Sequence, residues 1–493
     1  MKIADTIRNT MRRFLMIEPA EKRTVTIKEV YSHEGNCAKN RIWYNGKPQQ
    51  LEEFYREIDI DKTLFWAAPM TKGLEIRKLH TGLPRLVIDI MTWIVANDFN
   101  GIEFSEDNEY EEIWKEVAKD NDFDELLETA LRETAIVGDG AWKISFDDEI
   151  TKHAILEFYP AERVEFVYKR GRLREVKFKT EYRYKDKTYW FIETYGYGYV
   201  RYSMKNNDGK DVDVETVPET AWAKGNDISF DDSVIWAVPM RYGKSAQFKG
   251  RGRSLIDGKD CAGDALDECF SQWMDALRAA RPKQYIPQRL VPFDPITLKP
   301  QKPNAFDNRF ITVGDDMREG TASQIKVESP EIRSDAYLAT YITALDLYLQ
   351  GIMSPSTLGI DVKKLDNAEA QREKEKTTLY TRQNFVEMIQ KALPKVVFAV
   401  INATLLMRKQ NVITENELDE IKAKFGEYAN PSFESQVETI GKARTNNVMS
   451  IEAGVDEMYG DSKDDDWKET EVERIKQEMG VSSVDEPFEG DDL

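Results

Sequence analysis

Residues 254–281 read SLIDGKDCAGDALDECFSQWMDALRAAR, and residues 330–352 read PEIRSDAYLATYITALDLYLQGI. Between them lie Pro282, Pro287, Pro292, Pro295, Pro300 and Pro303, with Pro330 opening the second segment. Proline has no N–H and its ring collides with the preceding turn, so the insert cannot be a long helix. Its FITVGDD and SQIKVES pieces suit short strands. The first segment predicts a helix from Ser254, with Asp257 completing a capping-box-like start. That helix runs to the residue before Pro282, a rod of about 40 Å. The second predicts a helix with Ser329 as N-cap and Pro330 at its first position, about 33 Å long and ending near Ile352. Its Leu338, Ile342, Leu345, Leu349 and Ile352 recur at spacings of four and three, a seam for a neighbouring helix.

Working outward, the chain breaks at Ser354-Pro355 and Gly359, opening the loop SPSTLGIDVKKLD. Loops of that length without structure of their own are often functional. Asp366 and Glu369 then signal the start of a long helix through AEAQREKEKTTLYTRQNFVEMIQKAL. A kink is expected at Pro394, with the helix continuing through VVFAVINATLLMRKQ. Upstream, residues 1–130 read as mostly helical. PRLVIDIMTWIVAN (84–97) and Phe123–Val137 are buried helices, the latter stopped by Gly138-Asp139-Gly140. Residues 141–240 alternate and are rich in β-branched and aromatic residues, which predicts a largely antiparallel β region. Past a strand-like YANPSFES (428–435), helix returns over 436–480, and the acidic stretch Asp461–Leu493 reads as a solvated tail. The fold class is therefore α+β, mainly helical.

Composition narrows the function. The 493 residues carry a formal net charge of −20, so no basic footprint for wrapping nucleic acid is present globally. Cys37, Cys261 and Cys269 form no CxxC pair, which fits a reducing compartment. No secretory signal is visible. Met1–Met16 has helical apolar spacing with basic residues between, which reads as a helix docked on its own protein in preference to a membrane surface. The stretch Leu393–Met407, interrupted by Lys395 and Asn402, is too short to span a bilayer.

Catalytic motifs are sparse. Gly243-Lys244-Ser245 resembles the end of a phosphate-binding loop, but Val238 stands where that loop needs its first glycine. No GxSxG or HExxH occurs. The acid pairs Asp147-Asp148, Asp231-Asp232, Asp315-Asp316 and Asp464–Asp466 could hold a hard cation, although in a chain this acidic they read first as turns and surface. A nucleotide- or metal-dependent DNA-processing enzyme is the alternative these features leave open. One constellation stands out: Asp257, Asp260, Asp264, Asp267, Glu268 and Asp275 fall largely on one stripe of the first helix. They suit an ordinary wet face. They equally suit stacked negative rings around a pore, along which DNA slides without releasing counterions.

The order helix, Pro-rich insert, helix, loop and long helix resembles the portal proteins of tailed bacteriophages, nearest to those of long-tailed phages of Gram-positive bacteria. NRIWYNGKPQQLEEFY, ETAIVGDGAWKISFD and above all GIMSPSTLGIDVKKLDNAEAQREKEKTTLYTRQ carry the likeness. The resemblance implies a ring of twelve copies at one capsid vertex of the virion, assembled in the host bacterial cytoplasm. Double-stranded DNA would pass through it without sequence specificity. It implies a wing over 1–253, stem helices over 254–281 and 330–352, and a clip over 282–329. A tunnel loop over 353–366 and a long kinked helix with a return to the wing over 367–435 would follow, then a crown and acidic tail over 436–493. Ser354, Thr357, Leu358, Asp361, Val362, Lys363 and Lys364 would line the channel. Lys283, Arg289, Lys299, Lys302 and Arg309 would present the clip to a terminase or head–tail adaptor, with scaffold and major capsid protein as further partners. No catalysis, cofactor, metal or membrane is expected.

Overall fold

The computed structural model describes residues 32–58, 63–69, 76–104, 109–147, 149–281, 283–287, 291, 293, 310–313, 326–328, 331–360, 368–408, 410, 421–426, 440–442, 444–445, 448–459 and 465–478. The chain divides into two compact units, residues 1–425 and 426–493. The expected N-terminal helix at Met1–Met16 and the strand at 428–435 lie outside the described residues.

In the first unit, helices α1 (His33–Asn45), α2 (Pro48–Ile58) and α3 (Leu83–Asn97) lead into strand β1 (Phe99–Glu103), then α4 (Glu109–Asp120) and α5 (Phe123–Val137). Ser32 caps α1 through its side chain, which accepts from Gly35 N–H at 3.0 Å. α5 stops where expected, because Gly138 takes φ 102° and its N–H returns to the Thr134 carbonyl at 2.7 Å. Gly138 has a second reason to be glycine: a Cβ there would stand 2.6 Å from the backbone of Arg253. Gly252 crosses at the same point, where a Cβ would meet the Gly138 carbonyl at 2.0 Å. The GDG and GRGR stretches, 112 residues apart, thus form one close backbone crossing.

The β region follows the expected span. β2 (Asp139–Ser145) is central in a three-stranded antiparallel sheet, between β3 (Ile155–Pro160) and β10 (Ala237–Arg241). A second antiparallel sheet runs in order through β4 (Val164–Lys169), β5 (Arg172–Tyr184), β6 (Lys187–Gly196), β7 (Tyr199–Asn206) and β8 (Asp211–Val212), with β9 (Ile228–Ser229) also on β7. Its register is fixed by two-residue turns such as Lys185–Asp186, whose φ values of 49° and 59° match the twist of the flanking strands.

Next come α6 (Asp260–Ala279), the strands β11 (Lys283–Pro287), β12 (Phe310–Val313) and β13 (Lys326–Glu328), and α7 (Ser334–Leu349). The insert is thus a small sheet, β11 lying parallel to β12 and antiparallel to β13. A 3-10 turn at Pro355–Leu358 leads to α8 (Ala368–Met407), and β14 (Lys422–Phe425) returns to pair with β1. The helix α8 spans 40 residues, about 60 Å, and continues unbroken past Pro394. The carbonyl that Pro394 leaves without its donor belongs to Gln390, an exposed residue, so water can satisfy it.

α8 is the spine of the core. Ile389, Leu393, Val396, Val397, Val400 and Ile401 are fully buried, and Phe385 stacks on Tyr242 with ring centroids 4.3 Å apart. By length and composition Glu375–Met407 could cross a membrane, against the sequence reading of a stretch too short. Yet 72% of its apolar window is buried inside the protein, as in a core helix.

In the second unit, α9 (Ile451–Tyr459) and α10 (Asp465–Glu478) pack through Tyr459 and Trp467, edge-on at 4.8 Å, with Val455 and Val472 buried. Ion pairs Lys468–Asp456 (2.8 Å) and Lys476–Glu452 (2.6 Å) flank the contact. The stretch from Asp461 was expected to be a solvated tail. Within it α10 is part of the helix expected over 436–480, and Val472 and Trp467 give its acidic sequence an apolar face.

Candidate functional site

The two rods exist and lie antiparallel. Lys259 Nζ reaches the Leu347 and Gln350 carbonyls at 3.2 and 2.7 Å, Gly263 packs on Tyr348, and Phe270 and Trp273 meet Tyr341 at 6.1 and 6.2 Å. Both are shorter than the sequence predicted, about 30 and 24 Å. Ser254 and Asp257 do make a capping-type bond, Ser254 N–H donating to Asp257 Oδ2 at 3.0 Å. It closes an isolated turn, because Gly258 at φ 77° breaks the chain before α6 begins at Asp260. α7 begins at Ser334, not Pro330, with Arg333 at its N-cap; residues 329 and 330 lie outside the described residues. Its seam is buried only at the C-terminal end, through Ala344, Leu345, Tyr348 and Leu349, with Ile352 buried just past the helix. Leu338 is 46% exposed, as Leu277 is on α6 at 41%, so the distal ends of both rods carry uncovered apolar surface.

The acidic stripe requires a correction. Asp264 and Asp267 are buried, and they face the folded N-terminal segments. Asp264 accepts from the backbone N–H groups of Phe65 (2.9 Å) and Trp66 (3.1 Å). Asp267 accepts from Trp66 Nε1 (3.1 Å), Thr81 N–H (2.9 Å) and Thr81 Oγ1 (3.0 Å), and contacts His80 Nδ1 at 2.7 Å. Asp257 accepts from Asn36 and Asn40, and Asp260 pairs with Lys39 at 2.5 Å. Asp264 and Asp267 thus satisfy irregular backbone that has no ladder partner, the role that buried acceptors ordinarily fill, while Asp257 and Asp260 bind polar side chains of α1. Burial pushes the Asp264 carboxyl above the usual carboxylate range, against the pull of its two amide donors. Asp257, Asp260, Glu268 and Asp275 are half-buried, and of the last two, which face away from the N-terminal segments, Glu268 accepts from Gln272 at 2.9 Å.

The start of the expected tunnel loop is fastened to α8. Ser354 is 2% exposed, and its N–H donates to Thr378 Oγ1 at 2.9 Å. Thr357 Oγ1 meets Thr378 Oγ1 at 3.1 Å, Thr381 Oγ1 donates to the Ile352 carbonyl at 2.6 Å, and Leu358 packs on the core. Ser354 and Leu358 therefore anchor the start of the loop within the subunit. Asp361, Val362, Lys363 and Lys364 lie outside the described residues. Arg289, Lys299, Lys302 and Arg309 lie outside them too, while Lys283 opens β11.

The motifs that suggested an enzyme have other surroundings. Gly243-Lys244-Ser245 follows β10, but no helix begins until Asp260, so the segment lacks the helix N-terminus that phosphate loops use. Asp231 closes a turn on Ser233 N–H at 2.8 Å. Among the described residues no group of three or more His, Cys, Asp and Glu could hold a metal ion. One cluster escaped the sequence reading, because its members are far apart in the chain. His33 and Cys37 share one face of α1 beside buried Asp139, which pairs with Arg251 at 3.0 Å and accepts from Gly252 N–H at 2.7 Å. Burial, with Glu162 and Asp139 nearby, pushes the Cys37 thiol up, opposite to what an activated nucleophile needs.

Burial, aided by the Arg251 charge, lowers His33 to about 3. The native state therefore refuses a proton that the unfolded chain accepts below about pH 6.5. Stability is full above that pH and is lost as pH falls toward 3, by about 2 kcal/mol at pH 5. Urea titrations from pH 7 to 5 should show a shallower loss in His33→Gln than in the unaltered protein. Parallel losses would refute the assignment.

No established family profile matches the chain, and no curated protein sequence matches it. Among solved structures, a chain from the virion of a native gene transfer agent particle is similar at a TM-score of 0.39 and 12% identity. The match covers 90% of this chain and 96% of that one. A likeness this loose identifies no function.

Proposed function

We propose that the chain is one subunit of a tailed-bacteriophage portal ring, a conduit for DNA entering and leaving a capsid. The observation that carries this reading is the antiparallel α6–α7 pair, joined at one end through the β11–β13 insert and at the other through an anchored turn to the 40-residue α8. That is the element order for which the sequence resembles portals. Exposed Leu277, Leu338 and Leu347 on the rods support lateral neighbours, since a lone chain gains nothing by leaving them in water. In this reading the ring sits at the virion's unique vertex and is assembled in the bacterial cytoplasm. It meets terminase, scaffold, major capsid protein and adaptor, passes double-stranded DNA, and needs neither membrane nor cofactor. The chain has no catalytic role, and a separate motor hydrolyses ATP. Channel charge would come from Glu268, Asp275 and the loop lysines, not from the four acids consumed inside the subunit.

Electron microscopy of the purified protein is expected to show rings with an axial hole, twelve-fold in projection; a monomer at every concentration overturns the proposal. Lys363→Glu with Lys364→Glu should leave rings intact while altering DNA packaging or retention. Loss of rings would make the loop an assembly element. Saturable ATP binding abolished by Lys244→Ala would favour the enzyme alternative.

A further inference from the structure

Against a net charge of −20, the tip between β4 and β5 is locally basic. Lys169-Arg170-Gly171-Arg172-Leu173-Arg174 forms the tip between β4 and β5, closing on the pair Lys169–Arg172. Arg170 at φ 52° and Gly171 at φ 80° make the two-residue turn that suits strand twist. Its four cationic side chains are exposed.

Beneath this tip lies a cleft of about 500 Å³ between the second sheet, β10 and the middle of α8. Leu173, Ile235, Val238, Met388 and Ala392 wall it, and Arg241, Lys391 and Lys395 stand at its rim. Lys391 is 75% exposed and Arg241 and Lys395 are also exposed, so their charges face solvent. The nearby acids are few: Asp232 lines the adjoining hollow, and Glu387 pairs with Lys391 at 3.2 Å. The volume is within the range of small specific pockets and holds one large apolar side chain with room to spare. β10 is an edge strand, but Pro239 within it lacks an N–H, so the site is ill suited to adding a strand.

We infer that this cleft docks an acidic peptide segment of a partner protein, one aromatic or branched side chain entering the apolar slot while flanking carboxylates meet the rim cations. Arginine binds carboxylate through paired, charge-assisted hydrogen bonds, and the excess of cations over acids at the tip and rim steers an acidic segment toward it. A nucleic-acid backbone fits less well. Its phosphates call for cations tracking a strand, whereas these cluster around an aliphatic slot that a phosphate ribbon would leave unfilled. The inference is independent of the portal reading, and its failure leaves the ring prediction untouched.

The test uses the full chain and a labelled peptide DEPFEGDDL, the sequence of residues 485–493, as a probe with carboxylates around Phe488. Saturable binding is expected at low salt. It should weaken about tenfold or more in Arg170→Glu with Arg172→Glu, and comparably when the peptide carries Phe488→Ser, a buried aromatic anchor of this size being worth at least that factor. An unchanged melting temperature shows that the protein variant is folded; Lys395→Glu is the second variant should the hairpin change unfold it. Absence of saturable binding overturns the inference. So does equal binding of the Phe488→Ser peptide, or displacement of the peptide at equal strength by a short DNA duplex, either of which marks a general polyanion surface.

Discussion

Asp267→Ala is expected to destabilise the first unit by about 3–5 kcal/mol, the cost of removing one member of a buried, fully bonded charged group. The carboxylate sits at 0% exposure and is the common acceptor for Trp66 Nε1, Thr81 N–H and Thr81 Oγ1, with His80 Nδ1 at 2.7 Å. Truncation leaves those groups buried without a partner, at about 1–3 kcal/mol each before relaxation. Asp267→Asn should cost less, because one oxygen remains, but its amide must then face another donor. Asp275→Ala, on the same helix and only half-buried, should stay within about 0.5 kcal/mol. Urea unfolding of the three variants separates a carboxylate that holds the fold from one that faces a channel. Were Asp267→Ala as mild as Asp275→Ala, the inward-facing role would be wrong and the ring-of-charge reading would return.

That experiment also marks where the sequence stops being readable. The spacing of Asp260, Asp264 and Asp267 correctly places them on one helical stripe, although Asp257 falls in the turn before it. Spacing is blind to what a stripe faces, because a solvated acid and an acid capping loose backbone have the same period. A hint lay in the N-terminal third. TLFWAAP, rich in large apolar residues, and KLHTG are irregular segments whose buried N–H groups need acceptors from outside. The rods, the strand insert, the β region and the long helix were all legible, because proline placement and periodicity are local signals. The boundaries of α6 and α7 were not. Gly258 overrides the Ser254–Asp257 bond through its own left-handed φ, and helix ends are decided by such single residues. The anchoring of Ser354 to Thr378 and Thr381 to Ile352 was equally hidden, since it joins positions more than twenty residues apart. The cluster around Asp139 needed the backbone crossing at Gly138 and Gly252, which no linear pattern encodes.

The second large effect concerns the joint between the two antiparallel sheets. Lys143 on β2 is 6% exposed and bridges Glu157 of β3 at 2.9 Å and Glu193 of β6 at 2.7 Å. Burial disfavours its ammonium, but Tyr195 and these carboxylates outweigh that, holding the group charged far above neutral pH. Glu193 itself is 7% exposed. Lys143→Met therefore strands a carboxylate in the interior and is expected to cost about 3–5 kcal/mol, whereas a matched apolar pair costs little. The double change Lys143→Met with Glu193→Leu should recover most of the loss, leaving Glu157, at 36% exposure, to turn toward water. A double-mutant cycle read by urea unfolding gives the coupling directly. If the double variant falls by the sum of the two single losses, the bridge contributes no pairing and the sheets are held by their aromatic contacts alone. Recovery would instead show that the single losses come from stranding one charge in the interior, and that a matched apolar pair supplies the same stability as the bridge.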